Sequence, residues 1–324
     1  MKPRIASEDV RDRLEGTEEE RNEEANRQQR PLYYAAPMVR YSKLPFRCLV
    51  RRYGVDVAYT PMIYGRNFLE SEHARFSEYS TNDEDKKTIV QFAANEPEVF
   101  AAAAELVYKY SSGVDLNCGC PKTDVRQKGF GSSLLSQPDL LADIVRQTRA
   151  RVPDPEFTVS LKIRIHYPLE RTVDLCRKAE AAGVSHLTVH GRTPSMRCEP
   201  VDYDAIRTIV DSVNVPVIAN GDIRTLEDAN RVTAHTGASG VMAATGLLAN
   251  PALFTGADAT PAECVRDWLS LTARLGLPQP LFQQHLVYML RDSLTPQQRR
   301  LFNELSSRVA IEQWLRPWIQ EEGE

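Results

Sequence analysis

The sequence predicts an eight-stranded β/α barrel, the TIM arrangement, followed by a small C-terminal helical bundle. Three observations lead there. Eight short, β-branched apolar runs recur at 33–38, 55–60, 88–94, 113–118, 158–165, 186–192, 215–221 and 240–245. Their near-continuous apolar character suits strands buried on both faces. Helical patterns lie between most of them, and beyond Pro251 the strand signals stop. A chain of 324 residues accommodates one such barrel of about 250 residues and a small accessory domain.

The helices are read at 98–110, which is rich in Ala, and at 137–151, 169–182 and 225–235. Ser136-Gln137-Pro138 opens one of them and Gly183 closes another, in keeping with Pro at helix starts and Gly after helix ends. The second β/α unit is the weakest, because 61–87 is polar and irregular. A doubly wound sheet is the alternative architecture. Residues 31–255 form the expected barrel and 256–324 the helical domain. In the latter, Trp268, Leu269 and Leu271, then Leu286, Met289 and Leu290, then Leu301, Leu305 and Val309 fall at helical spacing, which predicts three or four packed helices. Residues 1–30 hold nine acidic and seven basic residues and almost no large apolar ones. Such a segment cannot bury enough surface to offset its ordering entropy, and a mobile or weakly helical extension is expected.

Hydrophobic content of 42% and charged content of 26% are ordinary for a globular protein. The net charge of −4 gives no whole-chain signature of a nucleic-acid binder, although a local basic groove is compatible with it. No apolar run reaches the roughly 18 residues of a membrane span, and the charged N-terminus does not read as a secretory signal. Six scattered cysteines then read as reduced thiols in a cytoplasmic protein, with the nucleus as a second location. No long apolar seam is visible, so a monomer is expected.

Chemistry-bearing residues gather at the predicted strand ends. They are Pro37-Met38 after the first strand, Gln91 in the third, Asn117 and Cys120 at the fourth, Lys162 and Arg164 in the fifth, His190 in the sixth, and Asn220-Gly221-Asp222 after the seventh. In a parallel barrel these ends share one mouth, where active sites lie. Ala244-Thr245-Gly246 after the eighth strand takes the usual phosphate position of barrels. Three patterns are decoys. Cys118 and Cys120 lack a second Cys or His pair at zinc spacing, so no metal site is expected. Gly129-Phe130-Gly131 lacks the third glycine and the preceding strand of a dinucleotide fingerprint and reads as a flexible loop. His186 and His190, four apart, lie in a strand and share no helix face.

At these residues the chain resembles the tRNA-dihydrouridine synthase family. The matching stretches are APMVRYSKLPFR (36–47), TPMIYG (60–65), VQFAANEP (90–97), DLNCGCP (115–121), SLKIRI (160–165), VHGRT (189–193), VIANGDI (217–223), GLLANPALF (246–254) and FNELSS (302–307). They run in order through the barrel and into the helical end. The forms NCGCP and GLLANP resemble the eukaryotic branch that modifies positions 20a and 20b of the tRNA D-loop.

The resemblance implies bound FMN, NADPH as its reductant, and hydride transfer to C6 of a uracil with protonation of C5. It implies that Cys120 is the acid, and a free thiol with a pKa of about 8.5 is mostly protonated at neutral pH. Cys118, two residues back, is expected to be structural. The loop 121–133 would act as a lid over a flipped base. Pro37, Met38 and Val39 would meet the flavin through their backbone, and Gln91 would bond its ring. Lys162 would sit near N1 and O2, and His190 near the ring or ribityl chain. Asn220, Gly221 and Asp222 would line the ribityl-phosphate side, with Ala244 and Thr245 at the phosphate. Asn117 and Arg164 are the candidates for the uracil edge.

One departure stands out. The family usually has an Arg where this chain has Thr245, and the loss of one charge-assisted bond costs roughly 1.5–3 kcal/mol, about one to two decades of affinity. Weak FMN binding is the resulting expectation. For tRNA, 121–171 holds nine Lys/Arg against six Asp/Glu, and Arg291, Arg299, Arg300 and Arg308 of the helical end could meet phosphates. Two other readings remain open: a flavin barrel reductase of a free pyrimidine or enone, and a catalytically silent tRNA-binding protein.

Overall fold

The computed structural model describes residues 30–321. The N-terminal extension expected over 1–30 lies, apart from Arg30, outside them. In chain order the elements are β1 (Leu32–Ala35), α1 (Leu44–Arg52), β2 (Val57–Tyr59), β3 (Ile63–Tyr64), α2 (Gly65–Glu70), α3 (Glu72–Glu78), β4 (Thr88–Ala93), α4 (Pro97–Val107), β5 (Gly113–Cys118), α5 (Thr123–Gln127), α6 (Pro138–Arg151), β6 (Thr158–Arg164), α7 (Glu170–Ala181), β7 (His186–His190), α8 (Tyr203–Val210), β8 (Val217–Asn220), α9 (Leu226–Thr236), β9 (Gly240–Ala243), α10 (Thr245–Ala249), α11 (Ala262–Leu275), α12 (Gln279–Met289), α13 (Pro296–Glu304) and α14 (Arg308–Glu321).

Every predicted run becomes a strand, and all pairings are parallel. The order β2-β1-β9-β8-β7-β6-β5-β4 closes on itself through a β2–β4 pairing, with the two-residue β3 added beside β4. The closed barrel replaces the doubly wound alternative. The irregular second unit contains β3 and two short helices, α2 and α3. Its return to the barrel is braced by Asp85, which accepts from Arg47, Thr81 and Thr88. The Arg47–Asp85 pair spans 2.6 Å, and both side chains are almost fully buried.

Helix boundaries follow local chemistry. Pro97 and Pro138 start α4 and α6 at first-turn positions, where a missing N–H costs nothing. A capping box of Thr225 and Asp228 opens α9, and left-handed Gly237 ends it; a second box, Thr295 with Gln298, opens α13.

The four C-terminal helices pack on the barrel rather than beside it. Trp268 and His285 are buried, and the His285 ring lies 4.7 Å from Phe46 of α1 and 5.4 Å from Tyr41. Burying side chains of Trp, Leu and Phe size contributes ~1.5–3 kcal/mol each, enough to make this lobe one body with the barrel. One predicted face is broken. Leu301 and Val309 are exposed, whereas Phe302 and Ile311 are buried. Leu301 lies on α13 and Val309 on α14, with Leu305 at the C-cap between them, so the three positions never share one helix face. No described helix is long and apolar enough to cross a membrane.

Candidate active site

Strand register assembles the site. Gln91 of β4 lies level with Asp115 of β5, which pairs with Ser160 of β6 and, through it, His186 of β7. One layer nearer the mouth, Asn117 pairs with Lys162 and Lys162 with Thr188. At the rim, Arg164, His190, Asn220 and Met242 form a third row. Side chains two apart on a strand share a face, so the polar members of these rows all enter the barrel. Their neighbours Leu116, Leu161, Ile163 and Val189 are fully buried on the opposite face, toward the helices.

A directed hydrogen-bond chain runs through these rows. Ser160 donates to Asp115 at 2.7 Å and Gln91 Nε2 donates to the other carboxylate oxygen at 2.8 Å. Gln91 Oε1 then accepts from Asn117 Nδ2 at 2.9 Å. This leaves Asn117 Oδ1 to accept from the backbone N–H groups of Gly119 and Cys120, at 3.3 and 3.0 Å. Burial raises Asp115 to about 7, against the opposing pull of its bonds to Gln91 and Ser160 and of the Lys162 charge. Both ends of the Gln91 amide are therefore engaged within the protein, as is most of the Asn117 amide.

Cys120 is fixed from several sides. Its N–H is held by Asn117, and its carbonyl accepts from Ser132 N at 3.0 Å. Gly131 presses on it from the returning loop. A Cβ there would stand 2.6 Å from the Cys120 carbonyl oxygen and 3.0 Å from its Cβ, and the φ of +62° favours glycine. The loop 121–133, expected as a lid, carries α5 and returns to bond and pack against the cysteine backbone. Cys118 differs in every respect: it is fully buried, and desolvation pushes its thiol well above the ordinary value. Cys120 lines a cavity of about 460 Å³ together with Val39, Met62, Tyr64, Asn67 and Lys122.

A second cavity of about 440 Å³ opens on the other side of the mouth. Pro37, Lys162, His190, Asn220, Gly221, Asp222, Ala244 and Thr245 line it, as sequence reasoning expected, joined by Arg192, Arg197 and Arg224. The Lys162 ammonium donates to Asn220 Oδ1 at 2.7 Å, and Asn220 Nδ2 donates to the Met242 carbonyl at 2.8 Å. Burial lowers Lys162 to about 8, Asp115 opposes that and Arg164 adds to it. Burial and the three neighbouring cations lower His190 to about 2, so its imidazole is neutral. Its buried Nε2 has no hydrogen-bond partner. Four cations (Lys162, Arg192, Arg197 and Arg224) face one carboxylate, Asp222, which Arg192 pairs.

The remaining expected residues lie elsewhere. Val39 faces the Cys120 cavity. Met38 is buried, with its N–H bonded to Ser42 Oγ at 3.0 Å. Arg164 donates to the carbonyls of Thr193 and Met196 and so ties down the loop after β7. Arg308 bonds Glu312 and Thr272 and stacks 4.6 Å over the Phe282 ring, which makes it a packing residue of the lobe. The arginines missed at the cavity wall had a weak signal: each lies two to seven positions past a strand end, in Gly191-Arg192, Met196-Arg197 and Ile223-Arg224.

A cavity holding an unpaired buried ring nitrogen, an ammonium ion with one acceptor and an excess of three cations, walled elsewhere by Ala36, Pro37 and Met242, fits an anionic cofactor with an aromatic body. The family model for dihydrouridine synthase matches residues 34–318. An uncharacterised tRNA-dihydrouridine synthase-like protein of Caenorhabditis elegans is 63% identical over 278 residues, covering 86% of this chain and 98% of that one. A Homo sapiens protein named tRNA-dihydrouridine(20a/20b) synthase [NAD(P)+]-like is 52% identical, over 86% of this chain and 88% of its own. The Saccharomyces cerevisiae tRNA-dihydrouridine(20a/20b) synthase [NAD(P)+] is 45% identical, over 81% and 73%. Among solved structures, the histamine dehydrogenase of Rhizobium sp. 4-9 superposes with a TM-score of 0.52 at 10% identity, over 68% of this chain and 44% of that one, a likeness of fold alone. By the length of the family match and the identity of these relatives, the chain belongs to the dihydrouridine synthase family.

Proposed function

We propose that this protein reduces uridine to dihydrouridine at positions 20a and 20b of the tRNA D-loop, using FMN and drawing on NADPH. The observation that carries the reading is the pairing, at one barrel mouth, of a cation-lined cavity with a cysteine clamped on the other side. FMN in that cavity would supply the hydride for C6 of the uracil. Lys162, Asn220 and His190 would hold it, with Pro37, Gly221, Asp222, Ala244 and Thr245 as walls.

Cys120 delivers its thiol proton to C5 of the base. Its backbone is fixed on both sides of Cα, so the thiol meets the base with little loss of freedom on binding. A general acid in this position contributes typically 10²–10⁴-fold. Asn117 and Arg164, expected at the uracil edge, are assigned instead to positioning: Asn117 holds the Cys120 N–H, and Arg164 holds the 193–196 loop. Gln91 likewise orients Asn117. Lys162 would hold a positive charge beside the cofactor and so favour its reduced, more electron-rich form.

A tRNA substrate is supported by the charge around the mouth. Arg126, Arg171, Arg177 and Lys178 line a groove of about 840 Å³ on the rim beyond β5 and β6, with Asp174 the one acidic residue among them. In the helical lobe, Arg291 and Arg299 flank a cleft of about 270 Å³. Phosphate contacts of this kind make affinity salt-dependent. The test is incubation of purified protein with FMN, NADPH and unmodified tRNA, followed by position-resolved mapping of dihydrouridine. Product at 20a and 20b is expected. Reduction of free uridine or an enone with tRNA left untouched would replace this reading with that of a small-molecule reductase.

A further inference from the structure

The cation-lined cavity has an end where one charged residue, Arg224, has no role in the chemistry above. Arg224 and Thr245 stand there, and the same two residues also line an adjoining cavity of about 430 Å³. The other cations of the wall are committed or differently rooted. Lys162 is bonded to Asn220, and Arg192 is bonded to Asp222 and the Glu199 carbonyl. Arg197 is exposed in the loop after β7, beside exposed Cys198.

Arg224 is exposed, yet its root is fixed. Its backbone N–H donates to Asp228 Oδ2 at 3.1 Å, the residue that also completes the cap of α9. Gly246 packs directly against the 223–224 backbone: a Cβ on it would lie 2.3 Å from the Ile223 carbonyl oxygen and 3.0 Å from the Arg224 Cα. That contact seats the base of the Arg224 side chain against the residue following Thr245. The guanidinium makes no ion pair with any described residue. Asp258 and Asp292, which line the adjoining cavity, are not within ion-pair distance of it.

We infer that Arg224 holds the phosphate of the bound FMN, doing from the β8–α9 loop what Thr245, a neutral hydroxyl, cannot do after β9. A planar, permanently charged fork suits a phosphate, and the Thr245 hydroxyl adds one neutral bond. The inference rests on the FMN reading above, and it replaces the expectation of weak cofactor binding with that of a relocated anchor.

The experiment compares FMN with riboflavin, which lacks the phosphate, by fluorescence titration of the flavin-stripped full chain. Wild-type protein binds FMN more tightly than riboflavin. Arg224→Ala weakens FMN by about ten- to hundredfold, the worth of a charge-assisted bond, and leaves riboflavin affinity and melting temperature unchanged. Adding Thr245→Arg to that variant restores the preference for FMN. Arg197→Ala retains it. The inference is overturned if Arg224→Ala leaves the FMN preference intact, or weakens both flavins equally, or if the preference collapses in Arg197→Ala instead. Equal binding of the two flavins by wild-type protein overturns it while the flavin reading stands. Binding of neither flavin overturns the flavin reading, and this inference with it.

Discussion

The two cavities at the barrel mouth are close in size, about 460 and 440 Å³, and opposite in construction. The Cys120 side is built from backbone: an amide acceptor, a carbonyl contact and a glycine pressed on a Cβ. Val39 and the Tyr64 ring stand on its walls, and Lys128 lies 5.2 Å from the centre of that ring. The Lys162 side is built from charged side chains rooted on β6, the loop after β7 and the loop after β8. The difference teaches a division of labour. Under the proposed function, a cofactor that stays bound would be held by fixed charge, whereas a base that arrives and leaves with each turnover would meet one placed thiol and a wall of mixed polarity.

That division can be broken, and the largest effect separates the two cysteines. Cys120→Ser lowers dihydrouridine formation by about 10²-fold or more while FMN affinity, read from flavin fluorescence, stays the same. Cys118→Ser, two positions away, leaves turnover within a few-fold. Equal losses in both variants would erase the distinction between the two cysteines and leave the Cys120 side without its placed thiol. The next effect belongs to the other side. Lys162→Met weakens FMN by about ten- to hundredfold, the range for a lost charge-assisted bond, with the Cys120 side untouched. Because burial brings Lys162 down to about 8 from 10.5, its cation is present below that pH and lost above it. Wild-type FMN affinity therefore falls as pH rises through about 8, and the Lys162→Met titration is flat there. The smallest effect concerns stability. The carboxyl of Asp115 is raised from 3.8 to about 7, so the folded state favours its protonated form. Its contribution is fully present below 3.8 and is lost as pH rises to about 7. Asp115→Asn has no such titration, so the wild-type melting temperature declines relative to that of the variant across this window. Parallel melting curves would show that Asp115 ionises as freely in the folded chain as in the unfolded one.

The barrel was legible because its signal is local. Each strand is a short apolar run closed by a turn, and eight in series leave few topologies. The inward row Gln91, Asn117, Lys162, His190 and Asn220 was legible too, since polar residues in apolar strands have few places to point except the barrel axis or its rim. Two kinds of information were not local. The engagement of Gln91 with Asp115 and Asn117 depends on the register between β4 and β5, which no single strand carries. The walls formed by Arg192, Arg197 and Arg224 depend on how loops fold back over the mouth, and an arginine in a loop has no periodicity to betray it. The helical lobe illustrates the same limit, because Phe302 and Leu301 are adjacent in sequence and opposite in burial.

The chain of amides that ends at Cys120 has a sense of direction. When ionised, Asp115 can only accept, and in that form it sets Gln91 to present its nitrogen inward and its oxygen toward Asn117; Asn117 then offers its own oxygen to the cysteine N–H. Reversing any one amide would set donor against donor at the next. Asp115, two layers below the rim and closed to solvent, thus acts as a compass for a thiol it never touches. Near pH 7 that carboxyl changes its charge, at the root of the chain whose far end holds the Cys120 N–H.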